Sequence, residues 1–261
     1  MIRRLYMTLA GAFLLAPLIV VGVVAFTSAS FVSFPPPGYS LRWLTRVLAD
    51  PSFMRPLANS ILLGLAAACA AAILAVPAAL ALARRQMRHA AEIESFLLSP
   101  LSLPALILSI ALLFYLSRLG LGSGFAGLFV GHTVVVLPYM LRTVLAVARG
   151  VDPALEEAAH TLGADPWRSF IHVTLPTLRP GIVAGALFAF LVSFDEVAVA
   201  LLMSSVGSMT LPVAILNHVA HNYDPAIAAI SLIKIVLVIA VLLALELFFG
   251  LDRLMLSRAR R

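Results

Sequence analysis

The segment that decides the fold is the polar stretch of residues 149–179, which reads RGVDPALEEAAHTLGADPWRSFIHVTLPTLR. Two helix starts are encoded in it, because Asp152-Pro153 and Asp165-Pro166 each place an acidic N-cap before a proline. Gly163 is a natural C-terminal stop for the first helix. The pattern therefore predicts a helix–glycine–helix hairpin between two apolar stretches.

Each helix of this hairpin is predicted to have an apolar face. The face is formed in the first helix by Leu155, Ala158, Ala159 and Leu162, and in the second by Trp167, Phe170 and Ile171. Leu175-Pro176 is expected to end the second helix. Two interpretations remain open on physical grounds. Either the apolar side packs beneath the protein's own helices, or the hairpin is a rigid knob that transmits motion from a cytosolic partner.

The composition on either side of the hairpin is that of a membrane protein. Apolar residues make up 62% of the 261 residues and charged residues 11%, against about 45–50% and about 25% in soluble domains. The mean hydropathy is +1.06. These values exclude an ordinary cytosolic enzyme and a disordered chain, and a single cysteine, Cys69, excludes a disulfide scaffold. The net charge of +6 comes from short basic clusters, so no nucleic-acid partner is expected.

Six stretches are long and apolar enough to cross a bilayer, which requires about 20 residues. We predict an all-α membrane protein, with one transmembrane domain over residues 1–261 and a cytoplasmic loop over 149–180. The first stretch is expected to stay as a span, because its apolar core exceeds that of a signal peptide. The six predicted spans are 6–28, 57–83, 95–117, 125–148, 181–203 and 227–250.

The arginine distribution predicts the topology. Twelve arginines lie in the loops predicted to be inside, whereas the loops predicted to be outside contain four, which are Arg42, Arg46, Arg55 and Arg118. The positive-inside rule then places both termini in the cytoplasm of a bacterium, with the chain in its inner membrane. Between the fifth and sixth spans, residues 204–224 are predicted to form a short outer helix from about Pro212, which contacts a binding protein, gates the path or lies at the interface.

Pairs of glycines and several prolines lie in or beside the predicted spans. Pairs of glycines four residues apart let helix backbones approach closely, and ordinary packing within the chain is favoured over a dimer motif. Prolines are expected to kink the helices that contain them. The glycine pairs are Gly120/Gly124, Gly127/Gly131 and Gly181/Gly185, and the prolines are Pro17, Pro77, Pro100, Pro104 and Pro138.

The hairpin also carries a family resemblance. Glu157-Ala158-Ala159, three residues, Gly163, nine residues and then Val173-Thr174-Leu175-Pro176 resembles the EAA loop of binding-protein-dependent ABC importer permeases. Val173 stands where that family has isoleucine. The loop lies between the fourth and fifth of six spans, as it does in the family, and the resemblance covers about residues 59–251. It implies a type I ABC importer permease (MetI-like) fold with a cytoplasmic EAA coupling hairpin.

The resemblance implies a mechanism with several partners. Two permease subunits form the path, the hairpin of each docks on one of two ATPase subunits, and an extracytoplasmic binding protein delivers the solute. Leu175-Pro176 would fix the return into the fifth span. The ATPase-coupling residues implied by the resemblance are Glu156, Glu157, Ala158, Ala159, Gly163, Leu175 and Pro176.

The sequence has no motif for ATP hydrolysis or other catalysis. A Walker A loop needs glycines before its lysine, but the one lysine, Lys234, follows Ser231-Leu232-Ile233. No H-E-x-x-H, paired cysteines or G-x-S-x-G occurs either, so we expect no catalytic residue and no cofactor. His218 and His221 near Asp224 favour an exposed polar helix face over a metal site.

Charged residues inside predicted spans mark the candidate solute path, because such charges are costly in a bilayer. Asp195 and Glu196 interrupt the fifth span, and Lys234 lies in the sixth, where Glu246 is close to the inner end. Lys234 is expected to pair with one of the two acids. The other carboxylate would then face the path, which would suit a cationic or amine-bearing solute.

A second resemblance concerns the solute. Ser193-Phe194-Asp195-Glu196-Val197, with Thr210-Leu211-Pro212 and Asp224-Pro225, is similar to the spermidine/putrescine branch of these permeases, and closest to its second permease subunit. This implies a different permease as partner. Other solutes remain open, including opines, organophosphonates and amino-acid derivatives. An ion-gradient-driven carrier is disfavoured, because the 149–179 segment has no second copy and the acids of the path lie in one half.

Overall fold

The computed structural model describes residues 2–84 and 88–249. Within these ranges the chain is helical apart from turns, loops and one isolated bridge between Thr27 and Tyr39, which confirms the predicted all-α membrane fold. A 3₁₀ turn covers Ser99–Ser102, and a π-helical turn covers Phe170–Thr174. The α-helices are α1 (Ile2–Ala25), α2 (Arg42–Ala49), α3 (Pro51–Ala83), α4 (Ala90–Leu98), α5 (Ala105–Arg118), α6 (Phe125–Ala148), α7 (Ala154–Thr161), α8 (Pro166–Ser169), α9 (Leu175–Asp195), α10 (Ala198–Met203), α11 (Leu211–His221) and α12 (Ala226–Phe249).

Most of the predicted spans have a counterpart among these helices. In the described part of the chain, five helical segments are long and apolar enough to cross a membrane, and α4 with α5 adds a sixth if that bent pair is one span. Helix α6 coincides with the predicted span 125–148. Helix α11 starts at Leu211 with Pro212 in its first turn, as predicted for the segment before the last span.

The third predicted span, 95–117, is not one straight helix. The axis bends by 106° between the segment that ends at Ser102 and helix α5, which begins at Ala105. Leu103 is extended there, with φ −94° and ψ 140°. Proline disfavours the helical conformation of the residue before it, so Pro104 forces Leu103 out of the helix.

The fifth predicted span, 181–203, differs at both ends. Helix α9 stops at Asp195, and Glu196 is extended with ψ 122° before the short helix α10. At the other end the hairpin's second helix does not end at Leu175-Pro176, because α8, the π turn and α9 form one continuous helical run over Pro166–Asp195. The Leu175 N–H donates to Phe170 O, five residues back, so a π turn directly precedes Pro176 and the helix continues past it.

The chain divides into two compact units. One comprises the described residues up to Ala58 together with Met209–Val241, and the other comprises Asn59–Ser208 and the described residues from Leu242. In the first unit, Val24 and Ala25 near the end of α1 pack against Ala228 of α12. The predicted single domain over 1–261 stays a prediction.

In the second unit, glycines bring α6 and α9 together. A Cβ at Gly185 would lie 2.6 Å from Met140 Sδ, and one at Gly181 would lie 2.8 Å from the Val147 side chain. This confirms intramolecular packing for the 181/185 pair. The 120/124 pair has a different role, since both residues lie between α5 and α6 with φ of +77° and +95°. They form a turn that only glycine adopts readily.

Candidate coupling hairpin and solute path

The hairpin of residues 149–180 is built on local capping. Asp165 Oδ1 accepts hydrogen bonds from the backbone N–H groups of Trp167 and Arg168, as predicted for an N-cap. Asp152 Oδ1 accepts from the N–H of Ala154 at 2.9 Å, but α7 begins at Ala154, one residue later than predicted. Both helix starts are therefore fixed by side chains within the hairpin.

Gly163 ends α7 in the predicted way. Its φ is +87°, and its N–H donates to His160 O while the next N–H, that of Ala164, donates to Ala159 O. This pair of hydrogen bonds is the Schellman motif, which favours glycine at the left-handed position. A Cβ at Gly163 would meet nothing within 4 Å, so the requirement for glycine lies in the backbone conformation.

The apolar side chains of the hairpin lie mainly at its surface. Leu162 is 89% exposed and Trp167 is 67% exposed, although the Trp167 ring also packs on Phe170 at 5.7 Å. Leu155 is exposed as well. In this single chain the hairpin therefore does not bury its apolar side beneath its own helices, which was one of the two interpretations.

The buried side of the hairpin is polar instead. Glu156 on α7 contacts Arg84 Nη2 with both carboxylate oxygens, at 3.0 Å and 2.7 Å. Thr174 Oγ1 donates to Glu156 Oε1 at 2.6 Å, and Thr174 is 2% exposed. The Thr174 hydrogen bond lowers the pKa of Glu156 below its ordinary value; partial burial opposes the shift and Arg84 reinforces it. Glu156 is thus held as a carboxylate.

A cleft of about 380 Å³ lies beside this contact. Its wall includes the end of α3 and the first helical turns of the hairpin. Ser169 lines it, and the Ser169 hydroxyl is buried without a hydrogen-bond partner in the described part of the chain. The hairpin is therefore fastened to α3 by polar contacts around a cleft, with its apolar side outward.

The predicted coupling residues divide into two groups by burial. Glu157, Ala158 and Gly163 are exposed, Ala159 is half-buried, and Glu156 is engaged inside the chain. Leu175 is half-buried and Pro176 exposed at the start of α9. The contact surface implied by the EAA pattern is thus accessible, with Glu156 set apart from it.

Asp195 and Glu196 lie at the break between α9 and α10. Asp195 is the last residue of α9 and is exposed. Glu196 Oε1 accepts from the N–H groups of Ala198 and Val199, at 2.8 Å and 3.3 Å. A carboxylate near a helix N-terminus stabilises the helix, so Glu196 acts as a cap for α10.

Lys234 and Glu246 lie elsewhere in the chain. Lys234 is half-buried on α12 in the first unit, whereas Asp195 and Glu196 belong to the second. The ion pair between Lys234 and one of these acids stays a prediction. Glu246 is near the end of α12 and half-buried.

Two contacts were missed by sequence reasoning. In the sequence Arg84 is only one charge of a basic loop, yet in the structure it reaches Glu156, 72 positions away. His132 on α6 lies with its Nδ1 2.8 Å from Ser193 Oγ, and both side chains are buried. Neither contact has a local sequence signal, because the partners are brought together only when the helices pack.

The histidine and acid near the outer helix form a pair. His218 Nε2 lies 2.9 Å from Asp224 Oδ1, and Phe53 packs on the His218 ring with 5.1 Å between the ring centroids. His221 Nδ1 is bonded to Asn217 O within its own helix. Among the described residues, no group of three His, Cys, Asp or Glu side chains is arranged to hold a metal ion.

These features define the class of protein. Several apolar spans and an exposed, capped hairpin between two of them are the architecture of a multi-pass membrane protein. The chain belongs to the family described as "Binding-protein-dependent transport system inner membrane component", which matches residues 75–251. It is therefore an inner-membrane permease of an ABC importer, a kind of protein that works with ATPase and binding-protein partners.

Individual relatives agree with this assignment. The chain is 31% identical to the putrescine transport system permease protein PotI of Escherichia coli K12, over 88% of this chain and 84% of PotI. It is 28% identical to the spermidine/putrescine transport system permease protein PotC of Haemophilus influenzae, over 94% and 95%. A bacterial ABC transporter that imports the polysaccharide alginate has the same fold, with a TM-score of 0.75, 18% identity and 95% of each chain covered.

Proposed function

We propose that the chain forms part of the solute path and is driven by a separate ATPase through the hairpin of residues 149–180. The observation that carries this proposal is the orientation of the hairpin, whose apolar residues Leu162 and Trp167 are exposed while its polar residue Glu156 is bonded inward. Exposed apolar patches mark interaction sites in proteins. Glu157, Ala158 and Gly163 form the docking contact, and ATP hydrolysis takes place in the partner.

The proposed solute is a polyamine or a related amine. Two relatives are named for putrescine or spermidine transport, and the sequence around Asp195 supports the same class. Of the two acids at the break, Asp195 is the better candidate for contact with a cationic solute, because Glu196 caps α10. Lys234 stays a candidate residue of the path.

The proposed assembly contains this permease, a second and different permease, two ATPase subunits and an extracytoplasmic binding protein. Both termini lie in the cytoplasm, which follows from the excess of arginine in the loops on that side. The hairpin is then on the side where ATP is available. Docking on an ATPase requires this orientation.

Purification followed by reconstitution tests the proposal. The complex is expected to contain a nucleotide-hydrolysing subunit and, in proteoliposomes with its binding protein, to import radiolabelled spermidine only when ATP is supplied. A matched assay with a neutral solute and an anionic solute examines the charge argument. Import of either in preference to spermidine would contradict the polyamine assignment while leaving the ATP-driven mechanism intact.

A further inference from the structure

The carboxylate of Glu156 joins three separate elements of the second unit. Glu156 itself is in the first turn of α7. Arg84 follows the last residue of α3 and is bonded to its final turn, because its N–H donates to Leu80 O. Thr174 is the last residue of the π turn that leads into α9. One side chain thus connects α7 to the end of α3 and to the start of α9.

We propose that Glu156 is a positioning residue that fastens α7, the first helix of the hairpin, to α3 and α9 together, so that movement of α7 reaches both helices. This inference rests on the coupling role proposed above and extends it to contacts inside the chain. Because Arg84 and Thr174 bind the same carboxylate, α7 cannot shift away from either helix without breaking a charge-assisted hydrogen bond.

The adjacent glutamate provides the contrast. Consecutive residues on an α-helix point about 100° apart, and Glu157 is exposed whereas Glu156 contacts Arg84 and Thr174. The two acids therefore serve different partners. Glu157 faces the docking ATPase, and Glu156 faces the chain's own helices.

The role of this contact is distinct from folding stability. The Arg84 side chain is more than half exposed, and exposed ion pairs contribute little to the free energy of folding. Loss of the ion pair with Arg84 is therefore expected to leave a folded permease in the membrane. Loss of the ion pair changes the geometric link between α7 and the helices it contacts. The ratio of import to ATP hydrolysis detects this change, whereas the expression level does not.

The test compares variants of the complete complex in proteoliposomes, with spermidine import and ATP hydrolysis measured in the same sample. In Glu156→Ala and Arg84→Gln, the amount of spermidine imported per ATP hydrolysed is expected to fall at least about fivefold. The double variant should be no worse than Glu156→Ala alone, since removal of the carboxylate already removes the partner of Arg84. Arg84→Lys, which keeps the charge, is expected to recover most of the import.

A control and two contrary outcomes complete the design. Glu92→Ala removes an exposed acid, whose His89 partner is also exposed, and should match the unmodified complex. If Arg84→Gln and Glu156→Ala keep the normal ratio of import to hydrolysis, or if their losses add, the inference is wrong. An unmodified complex that imports no spermidine with ATP would instead contradict the proposed function, and the two failures are thus separable.

Discussion

The coupling hairpin and the helix break after Asp195 each contain a pair of adjacent acids, and the two pairs are used in similar ways. In the hairpin, Glu156 is engaged inside the chain and Glu157 is exposed. At the break, Glu196 is bonded to backbone N–H groups and Asp195 is exposed. One acid of each pair is bonded within the chain, to backbone N–H groups or to side chains, and its neighbour is exposed.

The difference between the pairs lies in what holds the internal acid. Glu196 is fixed by backbone donors two and three residues away, so its contact is local. Glu156 is fixed by Arg84 and Thr174, which come from distant segments. A local cap supports one short helix, whereas a long-range contact ties several helices together. The comparison therefore predicts different consequences when each region is altered.

The largest effect is expected at Gly163, which shapes the hairpin. Gly163→Val places a β-branched residue at a φ of +87°, where such residues are strongly disfavoured. Uptake should be abolished while the protein remains in the membrane. Uptake of radiolabelled spermidine by whole cells, with membrane levels from an immunoblot, measures both.

Gly163→Asn is the matched control for this substitution. Asparagine tolerates the left-handed conformation, and there is open space around the position. Uptake by this variant should be largely retained. Normal uptake with valine would show that the hairpin's turn is not needed for coupling.

The next effect is expected at the break, where Asp195→Asn removes the charge proposed to contact the solute. A charge-assisted hydrogen bond is worth about 1.5–3 kcal/mol, so the KM for spermidine import should rise about tenfold or more. Glu196→Gln keeps an acceptor for the cap and is the control. Equal KM values for the two variants would remove the distinction between the exposed and the internal acid.

A smaller effect is expected when the cap at the break is deleted. Glu196→Ala removes the acceptor for the N–H groups of Ala198 and Val199, and loss of a helix cap costs about 1 kcal/mol. The midpoint of thermal unfolding in detergent should therefore decrease by about 2–4 °C. The midpoint of Glu196→Gln should lie between those of the unmodified protein and Glu196→Ala. An unchanged midpoint for Glu196→Ala would contradict the capping role.

The smallest effect concerns pH. The pKa of Glu156 is below its ordinary value chiefly because Thr174 donates to the carboxylate. A lowered pKa in the folded state means that the contribution to stability is complete above the unfolded pKa of about 4.3 and is lost as the pH falls through the folded value. The difference in thermal midpoint between the unmodified protein and Glu156→Gln should thus be constant near neutral pH and vanish in acid.

Thr174→Val provides the check on this pH dependence. Without the donating hydroxyl the pKa of Glu156 should move back toward its ordinary value, so the loss in acid should begin at a higher pH. A difference in thermal midpoint between the unmodified protein and Glu156→Gln that grows as the pH falls would have the wrong sign for a carboxylate stabilised in its charged form.

The hairpin was predictable from sequence because its determinants are local. Asp165 caps α8 and Gly163 ends α7 through bonds within a few residues, and both signals are visible in the chain. The error at Leu175-Pro176 has a structural cause. The π turn of Phe170–Thr174 continues the helix and places the proline in the first turn of α9, and no sequence rule predicts such a turn reliably.

The solute path was less predictable. The acids at 195 and 196 stand out in an apolar stretch, but the sequence does not indicate that the helix breaks at Glu196 and Val197, since Phe194–Ala198 contains neither proline nor glycine. Pro100 and Pro104 predict a kink in the third span, and the bend near Leu103 confirms it, but the sequence does not predict its size of 106°. Long-range contacts such as that of Arg84 with Glu156 depend on helix packing, which one sequence does not specify.

The most direct test of the central claim uses the exposed tip of the hairpin. Leu162→Cys in a Cys69→Ser background gives the protein one thiol at a side chain that is 89% exposed. Thiol-specific cross-linking of the purified complex, followed by mass spectrometry, should join this position to the ATPase subunit. Tyr223→Cys, which is exposed on the loop predicted to be outside, should give no such product. A thiol at position 162 that is labelled from the extracytoplasmic side, or that cross-links to no ATPase, would contradict the account.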